Sequence, residues 1–169
     1  MQEIFQKTLS NSINFEGIGL HSGKKSKIKI LPGTGDQGII FKRVDLKQNN
    51  IVMANYKSVS SAKLCTTLKN QYGIKVSTVE HLLAAFYISG IDSAIVEIDN
   101  EEVPIMDGSA KNFLEVLKKT EMTLLPKKRK YLKILSKVEL IDGERAISIE
   151  PNNSSLEVDF QLNYRNEII

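Results

Sequence analysis

The sequence of 169 residues has no tryptophan, one cysteine, two histidines and no apolar run near the roughly 20 residues that span a bilayer. Stable membrane insertion by a helix is therefore not expected. The lone Cys65 excludes an intrachain disulfide framework and a cysteine-rich zinc module. The N-terminus, Met1-Gln2-Glu3-Ile4-Phe5, lacks the charged region and apolar stretch of a secretory signal, so a cytoplasmic protein is the expectation. A strong excess of one charge is missing too: 23 basic and 20 acidic residues give a net +3. That balance does not suit a nucleic-acid binder, whose affinity rests on concentrated phosphate neutralisation. The dense run Lys127-Lys128-Arg129-Lys130, directly after Pro126, reads as a solvated linker. The mild basicity suits an anionic, phosphate-bearing substrate.

What remains is ordinary globular composition, 41% apolar and 25% charged, enough for one domain and part of another. Between Lys25 and Leu31, Ile28 and Ile30 fall on one face and Lys27 and Lys29 on the other, which predicts a strand. Pro32, Gly33 and Gly35 break it, and Gly38 to Lys42 reads as the next strand. Further short strands are expected over 54–59, 64–68 and 94–98. Two helices are predicted. In the first, over 79–89, Val79, Leu82, Leu83 and Phe86 share a face and Gly90 supplies the stop. In the second, over 110–119, Phe113, Leu114 and Leu117 form the stripe, and Asp107-Gly108-Ser109 offers candidate caps. This order predicts an α+β fold, a two-layer sandwich with a mostly antiparallel sheet covered by helices on one face.

Beyond Pro126 the pattern restarts. Strands are expected over 133–141 and 144–150 around the hairpin signal Asp142-Gly143, and again over 156–162. The markers Glu16-Gly17, Ile28, Ile30 and Pro32 are echoed by Asp142-Gly143, Ile147, Ile149 and Pro151. The expected organisation is a first sandwich domain over 1–125, a basic linker over 126–130, and the first strands of a similar, incomplete domain over 131–169. Three strands with an unburied apolar face are marginal, so the chain reads as a fragment or as relying on a partner.

Chemistry is confined by the two histidines. On a helix begun at Val79, Glu80 and His81 lie about 100° and 200° away from the core stripe. The positive end of the helix dipole favours an ionised Glu80 and a neutral His81. A neutral imidazole can bind zinc, and a carboxylate beside it can accept a proton from water. An alternative stands beside this one: Ser77 and Glu80 have capping-box spacing, so Glu80 could serve only to hold the helix start. Nothing resembles H-E-x-x-H, and a catalytic zinc takes three protein ligands, so the metal site is under-supplied. His21 lies in Gly17-Ile18-Gly19-Leu20-His21-Ser22-Gly23, which is not a P-loop; it is either a tight hairpin or a loop over a pocket. Asp107 is either a helix cap or a site residue. Cys65, in an expected strand, reads as packed rather than nucleophilic.

Four stretches in this order carry a resemblance: Gly17-Ile18-Gly19-Leu20-His21-Ser22-Gly23, Leu64-Cys65-Thr66-Thr67, Ser77-Thr78-Val79-Glu80-His81-Leu82 and Pro104-Ile105-Met106-Asp107-Gly108-Ser109-Ala110. Together they resemble the UDP-3-O-acyl-N-acetylglucosamine deacetylase family from about Thr8 onward. The resemblance implies zinc-dependent removal of the N-acetyl group from an acylated UDP-glucosamine, the committed step of lipid A synthesis in Gram-negative bacteria. It implies that Glu80 is the general base, His81 a zinc ligand, and Leu64 and Cys65 part of the pocket lining. For His21 and Asp107 it implies only proximity to the site.

The same resemblance implies a protein nearly twice as long, with two similar domains and the site between them. The family's H-K-x-x-x-D motif, its later histidine and its acyl-chain passage have no counterpart in this sequence. The second domain would complete the site, and the chain alone is expected to be inactive. The competing readings are a non-catalytic α+β module that binds RNA or protein, and a different zinc hydrolase sharing only the first domain.

Overall fold

The computed structural model describes residues 4–153 and 156–162. Their elements are β1 (Phe5–Leu9), β2 (Ile13–Ile18), β3 (Lys25–Pro32), β4 (Ile39–Arg43), β5 (Ile51–Met53), a 3-10 turn (Tyr56–Ser58), β6 (Val59–Ser61), β7 (Thr67–Lys69) and β8 (Lys75–Ser77). Then follow α1 (Glu80–Ser89), β9 (Ala94–Ile98), α2 (Lys111–Leu117), β10 (Met122–Lys128), β11 (Val138–Asp142) and β12 (Arg145–Ile149). The chain divides into two compact units, Met1–Arg129 and Lys130–Ile169.

The first unit is built on a five-stranded sheet in the order β2-β3-β9-β4-β5. Its pairs are antiparallel except β4 with β9, a parallel pair that the chain reaches by crossing over through β5–β8 and α1. The alternation read in β3 is realised: Ser26, Ile28 and Ile30 are buried while the lysines between them are exposed. Phe15 pairs with Ile28, and Ile28 with Ile98, so the apolar residues form a continuous face. Leu82, Ala85 and Phe86 of α1 and Phe113 and Leu117 of α2 join that face in one core. Phe113 meets Phe15 edge to face, with ring centroids 4.9 Å apart. The α+β class and the helical layer over a mostly antiparallel sheet are as expected. Gly90 ends α1 as predicted, at φ 70° with its N–H directed to the carbonyls of Phe86 and Tyr87.

Several local expectations differ from what is observed. The strand expected over 54–59 is broken by the 3-10 turn, because the Asn55 side chain accepts the amides of Lys57 and Ser58 and so competes with strand pairing. The strand expected over 64–68 begins only at Thr67; Leu64, at φ 67°, turns the chain and leaves Cys65 in a loop. Glu16-Gly17 is no turn but lies within β2, where a Cβ on Gly17 would come 2.9 Å from that of Pro104. Of the basic run, Lys127 and Lys128 belong to β10, which pairs with β1, and Pro126 sits in that two-stranded ribbon. Arg129 closes the unit by binding both carboxylate oxygens of Asp92 at 2.7 and 2.6 Å and the Gly90 carbonyl at 2.7 Å.

In the second unit β11 and β12 form a hairpin, with Gly143 at φ 59° in its turn. Residues 156–162 alternate in sequence but form no strand. Leu140, Ile147, Val158 and Phe160 stay exposed, because a two-stranded ribbon has no interior to bury them in. The remainder of the expected second domain, at 154–155 and 163–169, lies outside the described residues. Among the described residues, no helix is long and apolar enough to cross a membrane.

Candidate functional site

The site forms where β8 turns into α1. The turn takes two residues: Thr78, at φ 56°, and Val79, already in helical conformation. A left-handed β-branched residue is a genuine backbone outlier, at a cost of about 1–3 kcal/mol. Ser77 does not cap the helix. Its hydroxyl donates to the Glu101 carbonyl at 3.2 Å, and α1 starts with no side-chain cap at all. The capping-box alternative for Glu80 is thereby removed.

Against the turn lies Glu102, a carboxylate only 1% exposed. The Thr78 hydroxyl donates to its Oε1 at 2.9 Å. From the other side the glycine-rich loop closes on it: the His21 amide donates to Oε1 at 2.9 Å and the Ser22 amide to Oε2 at 2.8 Å. A Cβ on Gly19 would collide with Oε2, so glycine is required there for the loop to approach. The backbone reinforces the clamp. The Ser77 amide donates to the Glu101 carbonyl at 2.8 Å, the Val103 amide to the Ser77 carbonyl at 3.1 Å, and the Ile105 amide to the Ile18 carbonyl at 3.0 Å. Burial opposes ionisation of Glu102. The donors from His21, Ser22 and Thr78 outweigh it and hold the carboxyl below its ordinary range.

Glu80 opens the first turn of α1, half-buried, and its Oε2 accepts the Thr66 amide at 3.1 Å. That bond fastens the 62–66 loop to the helix. It brings to the site Leu64, 84% exposed, and the half-buried Cys65, whose Sγ lies 3.7 Å from the Thr67 hydroxyl. Among the described residues Oε1 of Glu80 makes no hydrogen bond. The neighbouring His81 is half-buried, and its Nδ1 is buried without a hydrogen-bond partner. A buried imidazole nitrogen with no partner is costly.

The structure thus joins all four sequence stretches around Glu80 and His81: the Leu64-Cys65 loop through Thr66, the His21 loop through Glu102, and the Pro104–Ala110 stretch through the bond of Ile105 to Ile18. Among the described residues His21 is engaged through its backbone alone, and the residue is exposed. Asp107 bonds locally. Its Oδ1 accepts the Ser109 amide at 3.0 Å and the Ser109 hydroxyl at 2.9 Å, which hold its carboxyl below the ordinary range. Nor is it the helix cap, since Ala110 holds that position and Ser109 accepts the Lys111 amide. Glu102 is the residue that sequence reading missed. Its one signal was a carboxylate directly before the apolar Val103-Pro104-Ile105-Met106, where no solvated partner is at hand.

Zinc fits His81 as one donor, on the evidence of its unpartnered nitrogen. Among the described residues no three His, Cys, Asp or Glu side chains gather into a metal-holding group.

The family described as LpxC, UDP-3-O-acyl N-acetylglycosamine deacetylase, matches residues 6–169. A UDP-3-O-acyl-N-acetylglucosamine deacetylase of Geotalea uraniireducens is 39% identical over 98% of this chain and 53% of its own length. One of Shewanella frigidimarina is 39% identical over 95% of this chain and 52% of its own. One of Geobacter sp. (strain M21) is 43% identical over 88% and 48%. The chain spans about half the length of the curated relatives it matches.

Proposed function

The chain belongs to the LpxC family, and from that premise we propose that it supplies the general base and one zinc ligand for hydrolysis of the N-acetyl group of UDP-3-O-acyl-N-acetylglucosamine in lipid A biosynthesis. The names of its relatives support the substrate and the reaction. The observation that carries the assignment of residues is the freedom of Glu80 from helix capping. Its Oε2 rests on the Thr66 amide, and Oε1 is left to accept a proton beside His81.

His81 would hold zinc through its imidazole. When bound, zinc polarises the amide carbonyl and acidifies water. Glu80 takes the proton from that water and can return it to the departing amine, so no proton is left over. Leu64 and Cys65 would line the pocket beside His81. One imidazole is one ligand where three are needed, so the 169 residues by themselves are expected to show no more than trace turnover. The second domain of a full-length protein supplies the remaining donors and the opposite wall. We propose the cytoplasm of a Gram-negative bacterium as the place of the reaction.

The test is Glu80→Gln in the full-length protein. Zinc content, read by elemental analysis, should stay at the wild-type level while turnover falls roughly 10²-fold or more, as for loss of a general base. Turnover within a few-fold of wild type would remove Glu80 from the reaction.

A further inference from the structure

Glu102 is nearly inaccessible, carries a charge, and has no part in the proton transfers proposed above. Carboxylates are almost never fully buried unless something pairs with them, and here the partners are two segments remote in sequence. The His21 amide is 81 residues away and the Thr78 hydroxyl 24. Thr78 stands two residues before Glu80 and three before His81, in the backbone conformation that sets the direction of α1. No side-chain cap secures the start of that helix.

We propose that Glu102 is a positioning residue of the site: its carboxylate holds the left-handed Thr78 turn that places Glu80 and His81, and docks the Gly19–Ser22 loop against the same turn. This deepens the function proposed above and rests on it for the roles of Glu80 and His81. The geometry requires a carboxylate in particular. The His21 amide and the Thr78 hydroxyl converge on Oε1 while the Ser22 amide binds Oε2, and an amide in its place would set an N–H against an N–H or O–H. The low pKa of Glu102 keeps both oxygens available as acceptors at neutral pH.

The Glu102 clamp acts at a distance. The Thr66 amide touches Glu80 and not Glu102, so its bond survives only while Glu80 is in place. Native-state amide exchange in the full-length protein reads this directly. Glu102→Gln should lower protection about tenfold at His21 and Ser22, and also at Thr66. Thr78→Val, which keeps the shape and deletes the hydroxyl, should lower protection at Thr66, and Thr78→Ser should restore it. With the UDP-sugar as substrate, kcat should fall about tenfold in Glu102→Gln and Thr78→Val, with KM within about threefold and recovery in Thr78→Ser. Should Glu102→Gln fail to fold, the Thr78 pair decides. Wild-type protection at Thr66 in Thr78→Val and in any folded Glu102→Gln would overturn the proposal, leaving Glu102 as a loop brace. An inactive wild-type enzyme would sink the deacetylase reading instead, and an active Glu80→Gln the role of Glu80 as base; Thr66 exchange would still decide positioning.

Discussion

The amide of Thr66 lies 3.1 Å from Oε2 of Glu80, so the loop bearing Cys65 and the first turn of α1 are held by one hydrogen bond. That bond links the loop bearing a thiol to a carboxylate 15 positions later in the chain.

Glu80→Ala should therefore loosen the 62–66 loop and expose Cys65. Loss of one hydrogen bond of about 1 kcal/mol corresponds to an alkylation rate about fivefold higher. The measurement is the rate of Cys65 modification by iodoacetamide in the native protein. An unchanged rate would mean that the loop is held by other contacts.

Two glycines of the same loop should behave differently. In Gly19→Ala the new methyl meets the Glu102 carboxylate and the Ser22 hydroxyl, so the overpacking should cost about 1–3 kcal/mol and disturb the site. Gly23, at φ 65°, has nothing within 4 Å of a Cβ. Gly23→Ala should carry only left-handed strain of about 1–2 kcal/mol and leave turnover alone. Urea midpoints together with kcat separate the two, and equal losses of kcat would refute the contrast.

Arg129 binds Asp92 with two nitrogens and the Gly90 carbonyl with one of them, while Asp92 also accepts the Lys7 amide at 2.8 Å. Lysine keeps the charge but not the fork. Arg129→Lys should lower the stability of the first unit by about 1.5–3 kcal/mol. Chemical denaturation of the full-length protein measures it, and a loss within experimental error would mean that the fork adds nothing.

Acid should unfold the first unit for an identifiable reason. Glu102 lies below its ordinary 4.5 once its donors outweigh burial, and Asp45 lies below 3.8 chiefly through its hydrogen bond to Arg43. A lowered folded pKa means that the unfolded chain binds more protons in this window. The two contributions are complete above the unfolded values and are lost as pH falls through the folded ones. Stability should drop between about pH 5 and 3, with a shallower slope in Glu102→Gln. Parallel slopes for the two proteins would show that Glu102 contributes none of it.

Much of this was legible in the chain itself. Alternation in β3 and the apolar stripes of α1 and α2 record on which side each residue is buried, and Gly90 marks a stop that only a left-handed residue makes easily. The four motifs identify the family, because each is a local run whose chemistry travels with it. Glu80 and His81 leave the core stripe for the same local reason, the 100° step of the helix.

Tertiary structure decided what those residues are attached to. By spacing alone Ser77 was a cap for Glu80; in the fold Ser77 turns to Glu101, and Glu80 to Thr66. Cys65 looked like a strand residue until Leu64 took a left-handed conformation and placed it in a loop. Glu102 was one acidic residue among 20, and no periodicity marks it. Its role comes from segments that meet only after the sheet forms and leave its carboxylate enclosed by donors. Periodicity reports burial one element at a time. Partners so far apart in sequence are set by packing of the whole domain, which no window along the chain contains.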